Sequence, residues 1–210
     1  MLRKIALILP VLVLAACGTT RPGAAAIVDG EEISQTSADE TAQVFCRINL
    51  LSAQQQGVEE LSNAEIRREA IRQMVLGVAA DRVAERDDLS IPSSLTTLST
   101  EDRAQAVRAV RGLDRDTVIR VLEDSQRLYA IVTALGERQL GEKVDEKNQQ
   151  QVQEAGRALV EAELKKLTVR YAPRYGLDAD GTQEARTGSL STTIETADSS
   201  AKLPDTQRCA

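Results

Sequence analysis

The sequence predicts a mainly α fold: a bundle of about five helices with a small β-element joining the N-terminal strand to a C-terminal segment. Three observations carry this. Apolar residues recur at spacings of three and four through several long stretches, some of them opened by a Ser-x-x-Glu capping box. Aromatic residues are scarce, with one Phe, three Tyr and no Trp in 210 residues, so the core is built from Leu, Val, Ile and Ala. Finally, helical spacing stops at Leu167, where Leu167-Thr168-Val169-Arg170-Tyr171 alternates and is rich in strand-favouring residues.

Taken in order, Ala24-Ala25-Ala26-Ile27-Val28 reads as a short strand ended by the turn pair Asp29-Gly30. Ser37 and Glu40 form a capping box, and Val44, Ile48 and Leu51 recur at helical spacing, which predicts a first helix over 37–56 closed by Gly57. A second box, Ser62 with Glu65, opens a long amphipathic helix through Ile66, Ala70, Met74, Val78 and Val83 to about Arg86, stopped by Ile91-Pro92. Thr100 suits the cap of a shorter helix ending near Gly112, and Asp114 or Asp116 opens another long one through Val118, Val121, Leu122, Leu128, Val132 and Leu135. Gly136 and Gly141 are expected to weaken the end of that helix. The run Asn148-Gln149-Gln150-Gln151 resembles low complexity, yet Val152, Ala155, Leu159 and Ala162 keep helical spacing and predict a last helix over 146–167. Beyond it, Pro173 and Gly176 punctuate, Asp178 to Gly181 reads as a turn, Ser189-Leu190-Ser191 as a short strand, and the tail from residue 192 as flexible.

The N-terminus has a different character. Arg3 and Lys4 precede an apolar run from Ile5 to Ala16 that is too short to span a bilayer of about 30 Å. Leu14-Ala15-Ala16-Cys17 resembles a bacterial lipobox. That resemblance implies cleavage before Cys17, a diacylglyceryl thioether on its sulfur, and a chain anchored by lipid on the extracytoplasmic face of the cell membrane. The expected organisation is a signal peptide over 1–16, a lipid-anchored tether over 17–24, a helical domain over 25–191 and a flexible tail over 192–210.

Loss of Arg3 and Lys4 with the leader takes the formal charge from −6 to −8. An acidic exterior disfavours nucleic acid and anionic lipid headgroups as partners. The chain has no histidine, which removes Ser-His and Cys-His nucleophile pairs and most zinc sites, and it has no Gly-rich phosphate loop or paired-thiolate motif. Asp178-Ala179-Asp180-Gly181 has the start of a calcium loop without its later ligands and is better read as a plain turn. No catalytic residue, metal site or cofactor is therefore expected.

The two ends of the helical body carry a more specific likeness. Ile27-Val28-Asp29-Gly30-Glu31-Glu32-Ile33-Ser34 resembles the opening of SurA N-terminal and PrsA-like chaperone domains, and Val169-Arg170-Tyr171-Ala172-Pro173-Arg174-Tyr175-Gly176 is similar to the segment that closes related envelope lipoproteins. The resemblance implies that the closing strand at 168–172 pairs with the first strand, which has no stability alone. It also implies an anchored, ATP-independent chaperone or folding factor for exported proteins. The parvulin isomerase domain of those families is absent, as are the histidines of its site, so prolyl isomerase activity is not expected. Because promiscuous surfaces favour Met and aromatics, both scarce here, a non-catalytic adaptor docking one specific envelope partner is the alternative.

With Cys17 consumed by lipid, Cys46 and Cys209 remain as a pair outside the reducing cytoplasm, and a disulfide between them is expected. The other reading leaves Cys46 packed as a small apolar group and Cys209 free in the tail.

Overall fold

The computed structural model describes residues 21–57, 60–183 and 207–209; Cys17, the leader and the Ser189-Leu190-Ser191 segment lie outside the described residues. The fold begins with β1 (Ala24–Val28), whose five residues are all buried. Such complete burial follows from its central place in a three-stranded antiparallel sheet of order β2-β1-β4, with β2 at Glu31–Ser34 and β4 at Val169–Tyr171. Asp29 and Gly30, at φ 48° and 90°, make the tight turn between β1 and β2, the left-handed pair that a two-residue hairpin requires. Val28 faces Val169 and Ala26 faces Tyr171 across the β1–β4 pair, so the N-terminal strand and the C-terminal segment are joined as the sequence predicts. Sequence reading missed β2: Glu31 and Glu32 are poor strand formers, and only Ile33 turns inward.

Four helices match the expected ones closely: α1 (Gln35–Gln55), α2 (Asn63–Arg86), α3 (Thr100–Ala109) and α4 (Arg115–Leu140). The caps differ in detail. Ser34, not the Ser37 box, caps α1 by accepting from Ser37 N at 3.0 Å, because β2 delivers the chain to the helix at Ser34. Ser62 caps α2 as predicted, Ser99 rather than Thr100 caps α3, and Asp114 caps α4 by accepting from Thr117 N at 2.9 Å. Helix α4 continues through Gly136 and ends at Gly141, which marks the terminus. Helix α5 is shorter than expected, at Gln149–Leu164, because Asp145 and Asn148 fold the preceding residues into a turn through mutual side-chain to backbone hydrogen bonds of 2.7 to 2.9 Å.

Helix α2 is the spine, and its burial partners change along its length. Ile66 and Ala70 pack beside Cys46 and Cys209; Ile71 and Val75 meet the sheet residues Ala26, Val28 and Val169; Ala79, Ala80 and Val83 meet Ile131, Leu135 and Val160 of α4 and α5. A fourth cluster, Val44, Val110, Val118 and Val121, joins α1 and α4 beside the end of α3. The α4–α5 contact is very close. A Cβ built on Gly136 would lie 1.9 Å from the carbonyl oxygen of Val152, and one on Gly156 would lie 1.8 Å from that of Val132, so the two helices meet backbone to backbone where only hydrogen fits.

Charged side chains link the elements at the surface. Asp29 accepts from Arg82 at 2.8 Å and from Thr168 N at 2.7 Å, pinning the β1–β2 turn to α2 and to the approach to β4. Arg174 holds both carboxylate oxygens of Asp39 at 2.9 and 3.0 Å and lies over the Tyr175 ring, which fixes the Pro-Arg-Tyr-Gly segment to α1. Arg138 reaches Asp87 at the end of α2, and Arg86 reaches Glu163 on α5. Exposed pairs of this kind contribute at most about 1 kcal/mol each, so the aliphatic clusters dominate stability.

At the far end of the chain, Arg208–Cys209 form a strand, β5, paired with β3 (Leu61–Ser62). This corrects the expectation of a flexible tail for residues 207–209: the backbone is fixed there by pairing beside α2. Cys46 and Cys209 are bonded, with Cα atoms 5.5 Å apart, among Ala42, Ile66 and Ala70.

Candidate functional site

A groove of about 900 Å³ lies between α2, α4 and α5, closed at one end by Tyr171 and the turn at Ala179–Gly181. All three helices pack on one another, α4 and α5 through the glycine contact, and the groove runs along the residues they leave between them. Its floor is aliphatic: Leu76 from α2, Leu128 and Val132 from α4, Leu164 from α5 and Leu167 beyond it. Tyr129 forms a wall with its side chain 48% exposed, a large apolar surface left in water.

The walls are rich in amides and hydroxyls. Gln73 donates to Ser125 Oγ at 3.1 Å, and that hydroxyl donates to Val121 O at 2.9 Å. Gln149 donates to the Tyr129 hydroxyl at 2.9 Å, while Gln150 donates to Glu154 at 2.8 Å. Arg72 fixes the closed end by donating from Nε to Gly181 O at 2.9 Å. Burial pushes the Tyr171 phenol up to about 12, with Asp180 and Asp178 adding to the shift against Arg72, so at neutral pH it is an intact O–H. Rim charges of both signs are present, Arg72, Arg157 and Lys165 against Glu69, Glu154, Glu161 and Asp180, and some pair with each other, as Arg157 does with Glu161 at 2.9 Å.

A second cavity of about 180 Å³ lies between α1, α2 and α4, lined by Ile33, Phe45, Met74, Val78 and Ile131 among others. Gln73, Ser125 and Leu128 line both cavities, so the wall between them is one layer of side chains.

An aliphatic floor with hydrogen-bonding walls suits an extended polypeptide segment: apolar side chains leave water on the floor, and glutamine amides, Ser125 and the tyrosines meet main-chain groups that need partners once covered. Among the described residues no group of three or more His, Cys, Asp or Glu side chains is arranged to hold a metal ion, and no helix is long and apolar enough to cross a membrane. The Asp178–Asp180 segment is a turn in which both carboxylates accept from Thr182 N at 2.9 Å.

Of the residues singled out by sequence, Cys46 and Cys209 come together away from the groove, and Cys17 lies outside the described residues. The groove itself escaped sequence reading. Its one visible trace was the glutamine run at the start of α5, which reads as low complexity until the fold places it against Tyr129. No protein-family model matches the chain, and no curated protein or solved structure matches it either.

Proposed function

We propose that this chain is a lipid-anchored, extracytoplasmic protein that holds unfolded or partly folded exported chains without ATP and without prolyl isomerase activity, the client segment lying in the groove between α2, α4 and α5. The observation that carries this reading is the groove: about 900 Å³ of space with an aliphatic floor, amide-rich walls and a half-exposed tyrosine. Its size fits a few side chains of an extended segment. The lipobox-like Leu14-Ala15-Ala16-Cys17 and the SurA-like end segments support the location and the class of client.

The alternative, a dedicated adaptor for one envelope protein, is favoured by one feature of the same groove. No methionine lines it, and its rim carries fixed charges of both signs, which select a complementary partner more than they tolerate many.

The test uses the full chain purified in detergent with several unrelated denatured substrates. Suppression of aggregation across the set, lost in Tyr129→Glu, supports the holdase; protection of none, with capture of a single envelope protein by crosslinking in cells, supports the adaptor. Anchoring is tested separately. Cys17→Ser should leave uncleaved precursor or soluble extracytoplasmic protein, and undiminished lipid labelling of that variant would remove the anchor from the proposal.

A further inference from the structure

We propose that the smaller cavity between α1, α2 and α4 is a selectivity pocket that takes one aliphatic side chain of the held segment, with a neighbouring Lys or Arg of that segment set against Asp124. This rests on the reading of the larger groove as a polypeptide site and names the kind of segment that binds best.

Size and lining come first. A cavity of about 180 Å³ walled by Ile33, Phe45, Met74, Val78 and Ile131 has room for a Leu, Ile or Met side chain; an apolar cavity of about 150 Å³ already holds a benzene ring. Only the Gln73, Ser125 and Leu128 layer separates it from the groove, so a segment lying in the groove needs to pass one side chain over that wall.

Gly77 is the second observation. It sits in the interior of α2, where Gly is less favourable than Ala by about 1 kcal/mol. Unlike Gly136 and Gly156, it has no neighbour that requires it: a Cβ there would meet nothing within 4 Å. The residue that would narrow the cavity is therefore missing from a position where every local preference favours having it.

Polarity of the lining gives the third. Thr41 is the one buried polar residue among the described residues, 5% exposed, and it lines this cavity.

Charge then selects the flanking residue. Asp81, Asp124 and Arg127 line the mouth, and Arg127 is engaged by Asp81 at 2.7 Å. Arg120 pairs with Glu40 at 2.6 Å and with Asp124 at 3.7 Å, so its one charge is shared between two carboxylates. Asp81, Asp124 and Glu40 against Arg120 and Arg127 leave this corner with one carboxylate in excess. Although the Asp124 side chain is 69% exposed, hindered hydration against the wall is the main cause pushing its carboxyl pKa up, with Asp81 and Glu123 adding to the effect. A cation brought beside the aliphatic group relieves that imbalance.

The experiment measures fluorescence anisotropy of the full chain in detergent with labelled Gly/Ser decapeptides that carry Leu-Leu-Lys, Ala-Ala-Lys or Leu-Leu-Glu at the centre. The Leu-Leu-Lys peptide should bind about tenfold or more tighter than Ala-Ala-Lys and several-fold tighter than Leu-Leu-Glu at low salt. Gly77→Leu, which fills the cavity, should reduce the Leu over Ala preference. Asp124→Asn should erase the Lys over Glu preference and leave the Leu over Ala preference in place. Gly77→Ala and circular dichroism of each variant control for folding. If folded Gly77→Leu keeps the full Leu preference while Tyr129→Glu abolishes binding, the pocket assignment is overturned and the groove stands. A Lys preference that survives Asp124→Asn overturns the cationic half, and failure of every peptide to bind overturns pocket and groove together.

Discussion

Replacing Gly156 by Ala tests the α4–α5 contact on which the groove depends. The added Cβ would stand 1.8 Å from Val132 O, 2.8 Å from its carbonyl carbon and 3.0 Å from Gly136 N, all backbone atoms that cannot rotate away. To reach even 3.0 Å from that oxygen, the helices must part by at least 1.2 Å, which loosens Ile131, Leu135 and Val160 in the same cluster. Overpacking of this kind costs about 1–3 kcal/mol and sometimes more, against a helix-propensity gain of about 1 kcal/mol for Ala over Gly. The substitution should therefore lower stability by about 1 kcal/mol, and by up to about 2 kcal/mol where the helices part little. Gly136→Ala, at 1.9 Å from Val152 O, should do much the same. One separation relieves both clashes, so the double variant should lose clearly less than the sum of the two. Gly77→Ala is the opposite control: with open space around it, it should stabilise by about 0.5–1 kcal/mol. Urea unfolding followed by circular dichroism reads all four, provided the slopes agree. A rise in midpoint for Gly156→Ala comparable to that of Gly77→Ala would refute the backbone-to-backbone contact and, with it, the shape of the groove wall.

Three further outcomes follow from the same structure. The bond between Cys46 and Cys209 closes a separation of 163 residues, so peptide mapping under non-reducing conditions should recover the linked pair, and reduction with alkylation should lower stability by up to about 5 kcal/mol in the chain-entropy picture; free thiols in protein exported by its own host would remove this. In the edge strand β4, Asp29 N donates to Thr168 O at 2.9 Å and Ala172 N to Ala25 O at 2.8 Å, so the alternation of the ladder points the Arg170 N–H toward β1 and the Val169 N–H away from it. Arg170→Pro should therefore free β1 and speed hydrogen exchange at Ala26 to Val28, whereas Val169→Pro acts by losing a buried side chain. Acid should destabilise the fold through Asp29 and Asp87: hydrogen bonds from Thr168 N and Arg82 hold Asp29 below the usual carboxylate range, and Arg86 and Arg138 do so for Asp87. Because both folded values lie below the unfolded one, their contribution is complete above about pH 4 and is lost as pH falls through the folded values. Melting temperature should drop over that window, and less steeply in Asp29→Asn.

Much of the fold is legible because its signals are local. Ser62 caps α2 and Asp114 caps α4 where the sequence places them, since each needs only its own first turn. Strands β1 and β4 are each legible because an apolar run before Asp29-Gly30 and an alternating run after Leu167 leave helical spacing, and their pairing, observed in the structure, is the one the resemblance of the two end segments implies. Strand β2 was not legible, as two glutamates hide its single inward residue, and β3 and β5 are too short to show a period. Ser37 with Glu40 carries the cap signal in sequence, and only the delivery of the chain by β2 moves the cap to Ser34.

The sequence by itself determined the helices, the aliphatic core, the absence of histidine and the two strand-like segments at the ends of the helical body, because spacing, capping and composition act over a few residues at a time. Tertiary structure alone decided the groove, the smaller cavity and the meaning of three glycines. In one dimension Gly77, Gly136 and Gly156 are identical interruptions of helical propensity. In three, Gly136 and Gly156 sit against a neighbouring backbone and Gly77 faces empty space, because what surrounds a residue is set by helices distant from it in the chain.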